Sequence, residues 1–250
     1  MLILELMIHG WGVKYNQIVR EFGYQKQNDL KAAFMLDSII SRQYSFQKLK
    51  KTISGETVFV IGSGPSLFSL LPILKKYKDT VKICADSSLD VLVRNGIRPQ
   101  IIATDLDGDL DLIRKLSKTS IIVVHAHGDN ISKLEFARNF KNCIGTTQTK
   151  KVGKIENFGG FTDGDRAVFL ASKFGASKIF LFGMDFGPKI GTYSRTKKSE
   201  KKIKQKKLHR GKILLEWHAT KTKSDLFTLS KPIRGFKKLT YKQLEHNVSS

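Results

Sequence analysis

The chain has 250 residues, 40% of them hydrophobic, which suits one fairly large domain with appendages and excludes disorder throughout. No apolar run reaches the roughly 18 residues that span a bilayer, and the apolar start from Met1 to Ile8 contains Glu5 and lacks a basic flank, so it reads as neither signal peptide nor membrane anchor. A formal net charge of +22 would suggest a polyanionic partner if it were spread evenly, and it is not.

From about Val13 to Phe46, Ile18, Val19, Phe22, Leu30, Ala33, Phe34, Leu36, Ile39 and Ile40 recur at helical spacing with a break at Gly23, which predicts a small helical unit over residues 1–52. From Thr57 the pattern changes to short, nearly continuous apolar runs, each followed by a turn signal and an amphipathic stretch. These runs are Thr57–Ile61, Val81–Ala85, Gln100–Thr104, Ser120–His125 and Lys178–Phe182. Strands buried on both faces read this way, so residues 53–193 are expected to form an α/β domain with a mainly parallel, Rossmann-like sheet and helices on both faces. Cys84 and Cys143 lie in strand-like segments, where a thiol is ordinary packing, and their scarcity fits a cytoplasmic protein.

Parallel sheets bind ligands beyond the carboxyl ends of their strands, and the residues there are polar, small or acidic. Gly62-Ser63-Gly64-Pro65-Ser66 follows the first run. Its glycines let a backbone approach a ligand, and the helix start after Pro65 is expected to offer free amides to a phosphate. Leu67 replaces the third glycine of a dinucleotide fingerprint, and no P-loop lysine follows. Asp86 follows the second run. Asp105-Leu106-Asp107-Gly108-Asp109 follows the third and crowds negative charge into five residues. In extended geometry Asp105 and Asp107 share a side and can address one magnesium ion, with Asp86 converging from the adjacent strand. Asp109 is either a further ligand or the cap of the next helix.

His125-Ala126-His127-Gly128-Asp129-Asn130 follows the fourth run. The two histidines share a strand face, but no third His or Cys completes a zinc site, so substrate hydrogen bonds or turn chemistry suit the segment better. Gly159 to Arg166 precedes a helical run from Ala167 to Phe174. There Thr162 or Asp163 can cap the helix, while Thr162, Asp163, Asp165 and Arg166 can equally grip a polar ring or phosphates. Asp185 either joins the carboxylates or opens the loop with Gly187 and Pro188.

Residues 194–250 form a basic, partly helical tail that carries 17 Lys and Arg against 4 acidic residues. Within it Lys197 to Trp217 permits a basic amphipathic helix. Such a helix either docks its apolar stripe on the sheet with its lysines in water, or recruits ATP or a nucleic acid electrostatically. Few aromatics interleave with the charges, which weakens an RNA role.

Taken together, Gly62 to Leu67, Asp105 to Gly108, His125 to Asn130, Gly160 to Arg166 and Gly183-Met184-Asp185-Phe186-Gly187 resemble the archaeal 6-hydroxymethyl-7,8-dihydropterin pyrophosphokinase family. The likeness runs from the N-terminal helices through Leu214 to Trp217. A more distant similarity, to thiamine pyrophosphokinases, rests on Ala85-Asp86 and Asp105-Leu106-Asp107, with Ser87-Ser88 and Gln100 departing from that pattern. The glycine loop also looks like that of bacterial sialyltransferases and flagellin-modifying proteins. The closer resemblance implies transfer of pyrophosphate from ATP to the hydroxymethyl group of a reduced pterin, with release of AMP, on a route to a folate-like or methanopterin-like cofactor. It implies magnesium on Asp105, Asp107 and Asp86, ATP phosphates on Gly62 to Ser66, and pterin or phosphate contacts from His125, His127, Asp129, Asn130, Thr162, Asp163, Asp165 and Arg166. The expected partners are ATP and a reduced pterin, with neither membrane nor nucleic acid, in a chain free to form homo-oligomers. The competing readings are thiamine pyrophosphokinase, nucleotide-sugar glycosyltransferase and basic RNA-binding protein.

Overall fold

All five apolar runs form strands in the computed structural model, which describes residues 8–41, 44–191, 194 and 197–249. The strands are β1 (Thr57–Ile61), β2 (Val81–Ala85), β3 (Ile101–Thr104), β4 (Ile121–Ala126), β5 (Cys143–Thr147), β6 (Lys178–Phe182), β7 (Asp225–Thr228) and β8 (Lys237–Lys238). They make one sheet in the order β5-β4-β3-β2-β1-β6-β7-β8, and every pairing is parallel. The chain steps outward from β1 to β5, then returns to lay β6 on the other side of β1. The loops after β1 and β6 therefore diverge at the middle of the sheet and open a crevice at its carboxyl edge.

Burial on both faces explains the continuous apolar runs. On β1, Phe59 and Ile61 enter one core while Val58 and Val60 enter the other. Helices α1 (Trp11–Phe22) and α3 (Phe46–Ile53) pack on the Val58 face through Trp11, Ile18, Leu49 and Ile53. The intervening α2 (Lys26–Ile39) packs on the opposite face through Ala32, Ala33, Leu36 and Ile39. That face also receives α4 (Leu67–Lys76), α5 (Asp86–Arg94), α6 (Leu110–Leu116) and α9 (Tyr241–Ser249). The Val58 face receives α7 (Asp163–Lys173) and α8 (Lys201–His218).

The basic C-terminal segment does more than form the expected helix, since it supplies β7 and β8 to the sheet. Both are short, and β8 is a pair of exposed lysines on the sheet's edge, a position where charge discourages pairing with another chain. Cys84 and Cys143 are buried and unbridged. Among the described residues no helix is long and apolar enough to cross a membrane. Residues 1–7, on which the reading of the apolar start rests, lie outside the described residues.

Candidate active site

β2 runs directly into α5, so Asp86 is the first residue of that helix, where a carboxylate complements the positive end of the helix dipole. β3 ends at Thr104, whose Oγ1 donates to Asp86 Oδ2 at 2.6 Å and accepts the Leu106 N–H at 2.8 Å. Leu106 is buried with φ of 68°, a left-handed conformation uncommon for a residue with a side chain. The extended geometry expected between Asp105 and Asp107 is therefore replaced by a tight turn, which still brings both carboxylates together. Asp163, the first residue of α7, joins them from across the crevice. One oxygen each from Asp86, Asp105, Asp107 and Asp163 lie within 4.8 Å of one another.

Each carboxyl feels the others. Burial, then Asp107 and Asp105, push Asp86 well above the usual carboxylate range. Burial, then Asp105 and Asp86, do the same to Asp163, although Arg166 Nη1 donates to its Oδ1 at 2.9 Å. Enclosure and Asp105 push Asp107 up as well. Burial would raise Asp105 too, but the His127 imidazole, with Nε2 3.5 Å from Asp105 Oδ2, and the charge of Arg166 outweigh it and hold Asp105 low. Two buried oxygens, Asp86 Oδ1 and Asp105 Oδ1, lack a hydrogen-bond partner among the described residues. An all-oxygen cluster with unpartnered, mutually repelling carboxylates fits a hard divalent cation such as magnesium.

The surrounding loops divide into groups that face the crevice and groups that support it. In the glycine loop, the Gly62 N–H donates to Phe182 O at 2.9 Å and the Gly64 N–H to Gly183 O at 2.7 Å. The Ser66 N–H donates to Asp185 Oδ2 at 2.9 Å and the Leu67 N–H to Gly64 O at 3.1 Å. Two of the amides expected to be free at this helix start, those of Ser66 and Leu67, are thus engaged. The glycines serve close packing instead, because a Cβ on Gly64 would collide with Asp185 and the Gly183 carbonyl. Ser87 Oγ donates to Ser63 Oγ at 3.0 Å beside this turn. Asp185 stays out of the carboxylate cluster and, held by the Ser230 hydroxyl, pins the loop.

In the histidine loop, Asn130 donates to the carbonyls of Asp105 and His125, both at 2.7 Å, and accepts the His127 N–H at 3.1 Å. It fixes the turn that carries His127 to Asp105. His125 is buried against Thr146, and burial followed by Arg166 keeps its imidazole neutral by holding its pKa well below the ordinary value. Asp129 lies further out, with Oδ2 3.8 Å from His127 Nδ1. Asp165 is fully buried and accepts the N–H groups of Phe161 at 2.8 Å and Thr162 at 2.6 Å, together with the Thr162 hydroxyl. Thr162 is the cap of α7, and Asp109 caps α6 by accepting the Leu112 N–H at 3.0 Å. Of the residues expected to hold pterin or phosphate, Thr162 and Asp163 line the crevice, whereas His125, Asn130, Asp165 and Arg166 stand behind it.

Residues 35–191 match the family described as 6-hydroxymethylpterin diphosphokinase MptE-like. The chain belongs to this family. A 6-hydroxymethyl-7,8-dihydropterin pyrophosphokinase of Methanocaldococcus jannaschii is 41% identical, the alignment covering 83% of this chain and 93% of that one. Proteins of the same name from Pyrococcus furiosus and Methanothermobacter thermautotrophicus are 40% and 36% identical, again over 83% of this chain and over 92% and 93% of theirs. Among solved structures, the MAf glycosyltransferase of Magnetospirillum magneticum AMB-1 superposes with a TM-score of 0.53 at 17% identity, over 86% of this chain and 38% of that one. At that identity the likeness is one of fold.

The crevice has a volume of about 800 Å³, within the usual range for ligand pockets. Four contributors to it or to its support escape sequence reasoning. Thr104 carries a weak signal, a hydroxyl residue at the strand end just before Asp105. Asp29, buried on α2, accepts the Gly128 N–H at 2.8 Å, the Tyr15 hydroxyl at 2.6 Å and Gln148 Nε2 at 2.9 Å, and so anchors the histidine loop from beneath. Lys133 and Lys204, which line the crevice, are indistinguishable in sequence from the many other lysines.

Proposed function

We propose that this protein transfers the β,γ-pyrophosphoryl group of ATP to the hydroxymethyl group of 6-hydroxymethyl-7,8-dihydropterin, with magnesium held by Asp86, Asp105, Asp107 and Asp163. The observation that carries the reading is the convergence of these four carboxylates in a chain 36–41% identical to proteins bearing that activity's name. In the reaction the pterin alcohol oxygen bonds to the β-phosphorus, the bond from that phosphorus to the α,β-bridging oxygen breaks, AMP leaves, and one proton is released to solvent. When bound, magnesium supplies charge neutralisation for the phosphates.

The chain's own groups provide position. Thr104 fixes the Asp86 carboxylate, and Asn130 fixes the turn bearing His127, which in turn sets Asp105. The Thr162 and Asp165 capping pair sets the start of α7 and hence Asp163. Such groups hold the carboxylates together against their repulsion before substrate arrives, which is the preorganisation that phosphoryl-group transfer demands. A covalent protein nucleophile is not required.

The test is incubation of the purified protein with ATP, magnesium and either the reduced pterin alcohol or thiamine, following AMP and the diphosphate product. Stoichiometric AMP and pterin diphosphate are expected with the pterin. Turnover with thiamine alone would overturn the proposal.

A further inference from the structure

The glycine loop, Gly62 to Ser66, carries no positive charge to meet a nucleotide's phosphate chain, and offers it the neutral Ser66 hydroxyl, which is buried and unpartnered among the described residues. Its amides at Gly62, Gly64, Ser66 and Leu67 are engaged within the protein, and Pro65 has none. The start of α4, where an anion is ordinarily welcome, already holds a carboxylate, that of Asp185. Across the crevice stand four more carboxylates. A triphosphate entering here meets like charge, and one divalent cation does not neutralise both it and the cluster.

Positive charge reaches the crevice from α8, from the 3-10 segment after β4 and from the stretch after β6, whose Lys189 and Lys197 line it but are exposed. α8 crosses the start of α7 at Gly211, where a Cβ would sit 3.6 Å from Thr162 Oγ1 and Asp165 Oδ1. Seven residues earlier, roughly 10 Å back along the helix axis, Lys204 projects into the crevice from a stripe that also carries Lys207 and Leu208. Lys133 enters from the 3-10 segment Gly128–Asn139, three residues beyond the Asn130 that holds Asp105. Lys133 and Lys204 are both half-buried, and among the described residues neither makes a salt bridge. Their charges act on Asp107. Half-buried ammonium groups without a protein partner, held beside a carboxylate cluster, are suited to an anionic group that arrives with a cation.

We infer that Lys133 and Lys204 bind the phosphate chain of the nucleotide donor, so that part of the basic C-terminal segment is substrate-binding machinery. This rests on the proposed use of ATP. It gives the excess charge of α8 a small, local target at the crevice in place of an extended polyanion. Lys237 and Lys238, on the exposed edge strand β8, serve as an internal comparison because they add the same charge far from the carboxylates.

The experiment is calorimetric titration with α,β-methylene-ATP and, separately, AMP, both with magnesium and without pterin. It uses the intact protein and the variants Lys133→Gln, Lys204→Gln, their double substitution, Lys204→Arg and the control Lys237→Gln plus Lys238→Gln, each with its thermal unfolding midpoint measured. Each single glutamine substitution should weaken the ATP analogue roughly 10-fold and the pair more, with AMP affinity changed less than about threefold. Lys204→Arg should restore most of the affinity, and the control should bind as the unaltered protein does. Unchanged analogue affinity in the double variant, equal losses for analogue and AMP, or an equal loss in the control would overturn the inference while leaving ATP use standing. Failure of the unaltered protein to bind the analogue would overturn both.

Discussion

The acidic and basic contributions to the crevice rest on unlike foundations. Asp86 and Asp105 issue from the ends of neighbouring parallel strands, and Asp163 begins a helix whose first turn is tied down by Asp165. Their positions are set by the sheet ladder and by buried hydrogen bonds. Lys204 stands on the N-terminal half of α8, where the neighbouring residues are exposed or half-buried, and Lys133 on a 3-10 turn. The difference suits the two tasks. Carboxylates that gather around one cation must be held against mutual repulsion, whereas long ammonium side chains follow a phosphate chain that arrives, reacts and departs.

Substitutions on the acidic side are expected to have the largest effects. Asp105→Asn combined with Asp107→Asn is expected to lower kcat on the order of 10³-fold and to abolish manganese binding, measured by turnover with ATP and the reduced pterin and by titration with the ion. Turnover within about tenfold of normal would mean the cluster is not the metal site. Asp163→Asn keeps an oxygen for Arg166 but removes one charge. Its expected loss is roughly 10- to 100-fold, with a raised magnesium requirement. A loss without any change in magnesium dependence would assign Asp163 to substrate alone.

Thr104→Val tests whether rigidity itself matters. The substitution preserves shape, leaves Asp86 without its 2.6 Å hydrogen bond and frees the Leu106 amide. Turnover should fall about tenfold with little change in KM for the pterin. An effect confined to thermal stability would show that Asp86 needs no such support.

The same contrast explains how far the sequence can be read. Strand-end residues are legible because a buried parallel strand announces itself as an apolar run, and the rule that ligands gather at its carboxyl end then selects Asp86, Asp105 and Asp107. Asp163 is visible as a polar residue before a helix, but its meeting with Asp86 depends on how α7 crosses the sheet, which local spacing does not encode. Asp165 and Asn130 show the limit from the other direction. Their residue types suit ligand binding and loop anchoring equally, and only the geometry, with their polar atoms turned to backbone groups, decides for anchoring. The left-handed Leu106 carries no sequence signal at all, since no glycine marks it. β7 is too short to stand out among the lysines, and β8 is itself a pair of lysines. Lys204 emerges from those lysines only because α8 is oriented by its other end.

That other end supplies the smallest test. His218 closes α8, is 2% exposed, stacks on Phe169 at 4.2 Å, and among the described residues has no hydrogen-bond partner for either ring nitrogen. Burial lowers its pKa to about 4, against roughly 6.5 in an unfolded chain. The unfolded state therefore binds more protons between these values, so the contribution of a neutral His218 is fully present above about pH 6.5 and is lost as pH falls toward about 4. Between about pH 7.5 and about pH 5.5 this amounts to roughly 1.3 kcal/mol, or a few degrees in Tm for a chain of this size. Other groups titrate over the same range, so the informative quantity is the difference in pH slope between the unaltered protein and His218→Leu, measured by thermal unfolding. The leucine variant should lose that increment of acid sensitivity. Equal slopes would mean that this end of α8 opens enough to hydrate the imidazole, and the helix bearing Lys204 would then be less firmly seated than its packing on Phe169 implies.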